Sequence, residues 1–251
     1  MTVKEFYEYL CREIPSELSL DGDSDGLSVC PEPEREVKNV LIALDATADI
    51  VEEAVNEGYD VILTHHPMLF GGISAVDAED YRGNKIIRLI RAGVAVMSFH
   101  TRIDAVDGGV NDMLVSLLGL KNVTKIGEKD IGRIGELEVP MLADDLAAFI
   151  KDTLGAPYVE FSDTGRIIKR VAVLGGSADS MIGDAIAAGA DALVGGELKY
   201  HALTDSADYG IALFSAGHFF TENPVCAKLF ELCAAVDIMP TINFSNRIRT
   251  V

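Results

Sequence analysis

The sequence predicts an α/β protein made of two interlinked α/β lobes, with mostly parallel sheets flanked by helices. Strand and helix patterns alternate along most of the chain, as in folds with parallel strands. The strand segments are continuous apolar runs, which indicates burial on both faces of a sheet. We place the N-terminal lobe at residues 1–127 and the C-terminal lobe at residues 128–251.

The first half of the chain begins with a predicted helix over Val3–Ile14, followed by a loop over 20–36 that is dense in Asp, Gly and Pro. Thr47 and Gly58 are suitable residues to begin and end the next helix. The predicted elements are then a strand at 38–45, a helix at 47–58, a strand at 60–66, a helix at 81–93, a strand at 94–100 and a helix at 108–120.

The pattern changes to short β-like pieces near residues 121–138 and then resumes its alternation. The stretches AVNEGYDVILTHH and AIAAGADALVGGELKYH resemble each other, which suggests two related halves. The remaining predicted elements are helices at 142–155, 177–189, 201–209 and 223–235, and strands at 168–176, 192–196 and 211–217.

The composition of the chain argues against two classes of binding partner. Lys and Arg number 21 against 40 Asp and Glu, and the net charge of −19 argues against nucleic acid and anionic membranes as partners. The N-terminal residues carry both charge signs, and no apolar run approaches membrane-spanning length. The four cysteines lack close metal-type spacing, and Cys226 and Cys233 fit buried thiols. We therefore expect a soluble cytoplasmic protein.

The five histidines all fall at or just past the end of an apolar strand. In open α/β sheets, ligands bind outside the carboxyl ends of the strands, so this placement indicates one site. The residues are His65, His66, His100, His201 and His218.

The sequence His65-His66-Pro67 is the most specific local signal. Adjacent Cα atoms lie about 3.8 Å apart, comparable to the roughly 3.5–4 Å between ions of a two-metal site. Pro67 keeps His66 extended. The spacing suits one histidine per metal in a dinuclear centre, whereas the alternative is a pair of solvated loop histidines.

Carboxylates follow two of these strands. The loop after His100 offers Asp104, Asp107 and Asp112, and spacing does not choose among them. His218 and Glu222 are four residues apart, just before Pro224. Because Pro belongs in a first helical turn, we expect Glu222 to open a helix and His218 to remain at the strand end.

His100 and His201 have three possible functional roles: metal ligand, orienting residue for a ligand, or proton carrier. The alternative for each is a structural histidine that bonds to a backbone carbonyl. The segment GGSADS at 175–180 follows a strand and opens a helix, a position where backbone N–H groups can hold an anion.

The order of motifs LIALDAT, DVILTHHPMLF, HTRIDAVDGGVND, VAVLGGSADS, GADALVGGELKYH and AGHFFTEN resembles the Nif-three-like dinuclear metal-centre family, labelled GTP cyclohydrolase 1 type 2 homologue. The resemblance covers nearly the whole chain and selects Asp104 over Asp107. It implies that Glu222 contacts both ions, and it puts His100 and His201 near the centre in an orienting or catalytic, proton-transfer role. The implied metal ligands are His65, His66, Asp104, His218 and Glu222.

The chain departs from the family pattern at several positions. Arg102-Ile103 replaces the usual Asn-Leu, Gly196-Glu197 replaces Gly-Asp, and DGDSDGL stands where the family has a tryptophan. We expect Arg102 to influence which anions the cleft accepts. Relatives resemble ring-shaped hexamers, so self-association is expected by resemblance.

These observations favour a dinuclear-metal-dependent hydrolase with its metal site in the cleft between the lobes. The expected substrate is a small anionic molecule such as a nucleotide, and the family label suggests opening of the GTP ring by metal-activated water. Imidazole and carboxylate ligands suit two divalent ions of Zn, Fe, Mn, Co or Ni. The alternative is a non-catalytic metal-handling protein or interaction scaffold with a structural dimetal site.

Overall fold

A computed structural model describes all residues, 1–251, and confirms the α/β class with two sheets flanked by helices. The chain divides into two compact units. Unit 1 comprises Met1–Ile103 and Val225–Ser245, and unit 2 comprises Asp104–Pro224 and Asn246–Val251. No helix combines the length and apolar character needed to cross a membrane.

The units differ from the predicted lobes 1–127 and 128–251, because the division falls at residue 103 and unit 1 is discontinuous. Strand pairing explains both differences. The strand at Lys121–Ile126 pairs with the one at Gly132–Met141, which keeps the 121–127 segment with unit 2. The strand at Met239–Ile242 pairs with the one at Asn39–Ala43, which returns the chain to unit 1.

The sheet of unit 1 has five strands in the order β1-β4-β3-β2-β11. All neighbouring pairs are parallel except β1 with β4. Two strands were not predicted: β1 lies inside the predicted 20–36 loop, and β11 follows the last predicted helix. The strands are β1 (Gly26–Val29), β2 (Asn39–Ala43), β3 (Val61–Thr64), β4 (Ala95–Ser98) and β11 (Met239–Ile242).

The helices of unit 1 bury apolar stripes against this sheet, as their 3.6-residue periodicity predicts. Thr2 and Glu5 form a reciprocal capping box at the start of the first helix. Gly58 ends the second with a left-handed φ of 74°, as predicted. The helices are α1 (Val3–Glu13), α2 (Ala48–Glu57), α3 (Tyr81–Ala92) and α10 (Val225–Ala234); α4 (Thr101–Ala105) spans the division between units.

The sheet of unit 2 has six strands in the order β5-β6-β8-β9-β10-β7. Its centre, β8 with β9 and β9 with β10, is parallel, and the outer pairings are antiparallel. The predicted β-like pieces are β5 and β6, whereas β7 was not predicted. The strands are β5 (Lys121–Ile126), β6 (Gly132–Met141), β7 (Glu160–Ser162), β8 (Ile168–Ser177), β9 (Ala192–Glu197) and β10 (Ala212–Ser215).

The core of unit 2 is formed by the buried faces of its central strands, with Val173 on β8, Val194 on β9 and Phe214 on β10, and by apolar side chains from two helices. Leu114 and Leu146 represent the helical contribution to this core. The helices are α5 (Val110–Leu117), α6 (Ala143–Leu154), α7 (Ile182–Ala187), α8 (Tyr200–Tyr209) and α9 (His218–Glu222).

Candidate metal centre

Three histidines gather at the carboxyl ends of β3 and β4 in unit 1. His65 and His66 follow β3 directly, and His100 follows β4 after Phe99. The imidazole centroids are 4.7 Å apart for His65 and His66 and 5.3 Å apart for His65 and His100. Each ring offers one nitrogen to a group whose members all lie within 4.8 Å of one another, a spacing that could hold a metal ion. The predicted placement of these histidines at strand ends is confirmed.

Each of these rings has its Nδ1 next to an oxygen acceptor. His65 Nδ1 lies 3.1 Å from the Phe99 carbonyl oxygen, and His66 Nδ1 lies 2.8 Å from Asp45 Oδ1. A carbonyl oxygen only accepts, so His65 Nδ1 carries the proton and Nε2 has the lone pair. A metal-ligating histidine ordinarily donates its other ring N–H in this way. The arrangement therefore fixes the tautomer suited to metal binding through Nε2.

His100 is oriented by Asp23, from the loop that precedes β1. His100 Nδ1 lies 2.8 Å from Asp23 Oδ1, and the Thr101 backbone N–H and hydroxyl donate to Asp23 Oδ2 at 3.1 and 2.5 Å. Burial acts to raise the pKa of Asp23, but the hydrogen bonds from His100 and Thr101 outweigh it and hold this pKa well below its usual range. Asp23 is thus a fixed negative charge behind the His100 ring.

Arg102 is buried inside unit 1, contrary to the expectation that it influences which anions the cleft accepts. Its side chain is buried, and its Nε donates to Asp25 Oδ2 at 2.7 Å. Its Nη1 donates to the Ile14 carbonyl at 3.2 Å, and the guanidinium lies 4.3 Å from the centre of the Phe99 ring. Burial acts to lower the pKa of Arg102, but the charge of Asp25 and the hydrogen bonds to Tyr7 and Cys11 together outweigh it and raise this pKa. The side chain is an internal brace of unit 1.

His218 and Glu222 form a close pair in unit 2. His218 Nε2 lies 2.8 Å from Glu222 Oε2, while His218 Nδ1 lies 3.5 Å from Glu197 Oε2. Both residues belong to the short helix α9, which separates β10 from α10. The prediction that His218 stays at the strand end and Glu222 opens the long helix is wrong, because Pro224 precedes α10 and α9 intervenes. The spacing of four residues puts both side chains on one face of α9.

Glycines hold the backbone of β8 and β9 against this pair. A Cβ atom on Gly176, whose φ is 65°, would overlap the Glu222 carboxylate. A Cβ on Gly175 would lie 3.2 Å from Glu222 Cγ, and one on Gly196 would lie 2.8 Å from His218 Cα. These positions need glycine for the close approach of the backbone.

The amides of this glycine segment are used inside the protein. Gly175 N–H donates to Asn111 Oδ1 at 2.8 Å, and Gly176 N–H donates to the Thr221 hydroxyl at 3.1 Å. The interpretation of GGSADS as an anion cradle is therefore wrong for its first two residues. Their role is to pack against Glu222.

Asp104 is buried in unit 2, and Asn111 links its backbone to Gly175 on β8. The Asn111 side-chain amide donates to the Asp104 carbonyl at 3.2 Å and to the Ile131 carbonyl at 2.8 Å, and its oxygen accepts from Gly175. Asn111 is completely buried, so all of these hydrogen bonds are shielded from water. The network fixes the backbone of Asp104 relative to the segment that packs against Glu222.

The two alternative aspartates have other roles. The side chain of Asp107 is 83% exposed and lies 2.7 Å from Lys125 Nζ, and this partner lowers the pKa of Asp107. Asp112 accepts from buried Arg133 Nε at 2.5 Å and from the Gly108 N–H at 2.7 Å. Burial therefore distinguishes Asp104 from Asp107, while Asp112 braces the start of α5.

His201 differs from the other four histidines in being exposed. It is exposed in the first turn of α8, and its carbonyl accepts from the Thr204 hydroxyl at 2.9 Å.

The residues missed by the sequence analysis are Asp23, Asp45, Asn111 and Thr221. Asp45 follows β2, so the strand-end rule applied to the histidines would have found it. Asn111 interrupts the apolar face that Val110, Leu114 and Val115 form on α5, and a polar residue at such a position is a detectable signal. Asp23 lies in a loop whose sequence shows no such pattern.

The donor set fits divalent transition-metal ions. Neutral imidazoles and carboxylates suit Zn, Fe, Mn, Co and Ni, and carboxylate or carbonyl partners behind the imidazoles are the usual supporting shell. His65, His66 and His100 can hold an ion in unit 1, and His218 and Glu222 offer an imidazole and a carboxylate in unit 2.

The chain is similar to proteins of known sequence and structure over nearly its whole length. The chain is 35% identical over 224 residues to a Clostridium perfringens protein named GTP cyclohydrolase 1 type 2 homolog, covering 86% of this chain and 85% of that one. Its fold matches a crystal structure of Staphylococcus aureus protein SA1388 with a TM-score of 0.90 at 22% identity, covering 100% and 99% of the two chains. Reduced HcgD from Methanocaldococcus jannaschii matches with a TM-score of 0.85 at 26% identity, covering 96% and 97%.

The family model described as Duf34/NIF3 (NGG1p interacting factor 3) matches residues 1–246, nearly the full length. The matched range includes every candidate ligand and the residues that orient them. The chain belongs to the Duf34/NIF3 family.

Proposed function

We propose that this chain is a dinuclear-metal-dependent hydrolase that acts on a small anionic substrate. The proposed ligands of two divalent ions are His65, His66, Asp104, His218 and Glu222. The name of the curated relatives makes GTP, opened at its purine ring by water, the first substrate to test.

The observation that carries the proposal is the anchoring of the unit 1 histidines. His65, His66 and His100 each have Nδ1 next to an oxygen acceptor, at 3.1, 2.8 and 2.8 Å. For His65 and His66, two of the proposed ligands, this contact leaves Nε2 as the atom that can bind a metal. For His100 it leaves Nε2 as the atom that can accept a proton.

Two divalent ions, when bound, would supply an acidified water and neutralise the charge of an anionic substrate. The chain's own contribution is orientation and proton transfer. His100 presents Nε2 with Asp23 behind its Nδ1, and the ionised Asp23 stabilises the imidazolium that forms when Nε2 accepts a proton. On this geometry we assign His100 as a catalytic proton carrier, and on the family resemblance alone we assign His201, which is exposed at the start of α8, as a second one.

Elemental analysis of protein purified without added metal tests the ligand set. We expect about two transition-metal ions per wild-type chain from the two-metal proposal. His65→Ala and Glu222→Ala should each lower that number sharply, because each removes a ligand. Unchanged metal content in both variants would overturn the proposal.

A matched pair of aspartate variants tests whether Asp104 is the metal ligand. Asp104→Asn removes a buried carboxylate and should lower metal content, whereas Asp107→Asn removes an exposed one and should leave it unchanged. Equal metal loss in both variants, or loss in Asp107→Asn alone, would reject Asp104 as the ligand.

Turnover measurements separate the hydrolase from a structural metal site. The metal-loaded protein is assayed with GTP, other nucleotides and phosphoesters, alongside His100→Ala and His201→Ala. We expect both variants to retain metal and to lose about 10²-fold or more in turnover, the usual contribution of general acid–base catalysis. Metal-loaded wild type without turnover of any of these substrates would favour a metal-handling protein or scaffold instead.

A further inference from the structure

Unit 2 has a cavity of about 820 Å³ that His218 lines in part. Its lining also includes Ser177, Gly196 and Ser215. These residues stand at or next to the last residues of β8, β9 and β10, the three parallel strands of the sheet. Ligands of open α/β sheets bind at this edge.

The cavity has aromatic walls. Tyr158, Phe219 and Phe220 line it, and Tyr158 is 46% exposed although its ring is large and apolar. The Phe219 and Phe220 rings are 5.5 Å apart and nearly perpendicular, so they present both an edge and a face. Partly exposed aromatic side chains around a recess are suited to stacking on a planar ring.

The charged side chains that line the cavity limit the chemical class of ligand that it can bind. The lining has three carboxylates and two cationic side chains, and this excess of negative charge disfavours a phosphate inside the cavity. Carboxylates accept hydrogen bonds and do not donate them, so they favour a ligand with N–H groups. The residues are Glu160, Asp179, Glu197, Lys199 and Arg249.

We propose that this cavity binds a planar nitrogen heteroaromatic ring that carries N–H donors, and that the anionic part of the same substrate lies outside it. This inference rests on the proposed function in one respect, because it takes the ring bound in the cavity to be part of the hydrolase's substrate. The ring-binding site itself consists of residues of unit 2 and needs no metal.

Calorimetric titration with guanosine tests the site, because this probe has the ring and the N–H donors but no phosphate. We expect saturable binding to the full-length wild-type chain and none with ribose. Inosine, which lacks the exocyclic amino group, should bind about tenfold more weakly if the carboxylates read that group.

Two variants with matched controls locate the binding. Tyr158→Ala should weaken guanosine binding about tenfold through lost stacking. Tyr209→Ala, a tyrosine of similar exposure (42%) on α8, should leave it unchanged. Glu160→Gln should weaken binding, whereas Glu138→Gln, an exposed carboxylate on β6, should not. Circular dichroism of each variant checks that the fold is retained.

Guanosine binding should persist in His65→Ala, which separates this inference from the metal proposal. If metal is bound but guanosine is not, the ring site is rejected and the metal proposal stands. If Tyr158→Ala instead abolishes self-association while guanosine binds nowhere, the cavity is an interface between copies of the chain, and the inference is overturned.

Discussion

The two units position their candidate ligands by different means. In unit 1, oxygen acceptors such as Asp45 and Asp23 hold each histidine ring through Nδ1. In unit 2, His218 Nδ1 lies 3.5 Å from Glu197 Oε2, and the glycines of β8 and β9 pack directly against α9. One group is fixed by hydrogen bonds and the other by close packing. The difference shows that hydrogen bonding and close packing can each orient candidate metal ligands within one chain.

The largest effect is expected from adding a side chain at Gly176, where the backbone packs against Glu222. Gly176→Ala puts a Cβ into the Glu222 carboxylate and strains a left-handed residue. We expect a loss of roughly 3 kcal/mol in the free energy of unfolding, together with most of the bound metal. Urea unfolding and elemental analysis measure both.

The control for this variant is Gly165→Ala. Its φ of 71° is similar, but a Cβ there meets no atom within 4 Å, so only the backbone strain of about 1 kcal/mol remains. If both variants lose equal stability and metal, close packing does not position Glu222.

The next effect tests hydrogen-bond anchoring in unit 1. Asp45→Ala removes the acceptor from His66 Nδ1, and we expect metal affinity to fall about 10- to 100-fold. Competition with a chelator of known affinity measures this change. Glu57→Ala, an exposed carboxylate at the end of α2, is the control and should retain wild-type affinity. An unchanged affinity for Asp45→Ala would show that the ring is held by packing alone.

A third effect concerns the free energy of unfolding at alkaline pH. It distinguishes the two units, because all four cysteines belong to unit 1. Burial raises the pKa of Cys226 and Cys233 to about 12. The unfolded chain releases these protons near pH 9 while the folded chain keeps them, so stability falls as pH rises between about 9 and 12. Each thiol should contribute a loss of about 1 kcal/mol per pH unit.

Urea unfolding at pH 8 and pH 10 measures this loss. The double variant Cys226→Ala, Cys233→Ala should show a smaller difference between the two pH values than the wild type. A difference of the same size in both proteins would assign the alkaline loss to other groups. Hydrogen exchange at pH 10 should show α10 opening before the core strands of unit 2.

The smallest effect is expected at Glu197. Its contact to His218 Nδ1 is long and its side chain is 62% exposed, so Glu197→Gln should change metal affinity by about threefold or less. Chelator competition is again the measurement. A loss as large as that of Asp45→Ala would mean that both units anchor their histidines by hydrogen bonds.

The central strands were predictable because they are apolar runs buried on both faces. The three strands that were missed, β1, β7 and β11, all lie at sheet edges. They have three or four residues each and partly exposed side chains, so their sequences lack the apolar run. Their pairing depends on neighbours that are distant in sequence.

The candidate site was predictable wherever position at a strand end was informative. This rule found His65, His66 and His100, and it would have found Asp45. It could not find Asp23, because only the tertiary path of the 20–36 loop brings that carboxylate to His100. It also misjudged His218, because a helix of five residues is too short for its periodicity to be recognised.

The return of the chain to unit 1 has a consequence for biosynthesis. The edge of β2 is covered by β11, and residues Met239–Ile242 of β11 are translated after all the other strands of both sheets. Unit 2 is nearly continuous from Asp104 to Pro224 and has all its strands earlier. During translation the nascent sheet of unit 1 therefore presents an open edge of the kind that pairs with other chains. Termination of translation before residue 239 would release a chain with this edge exposed.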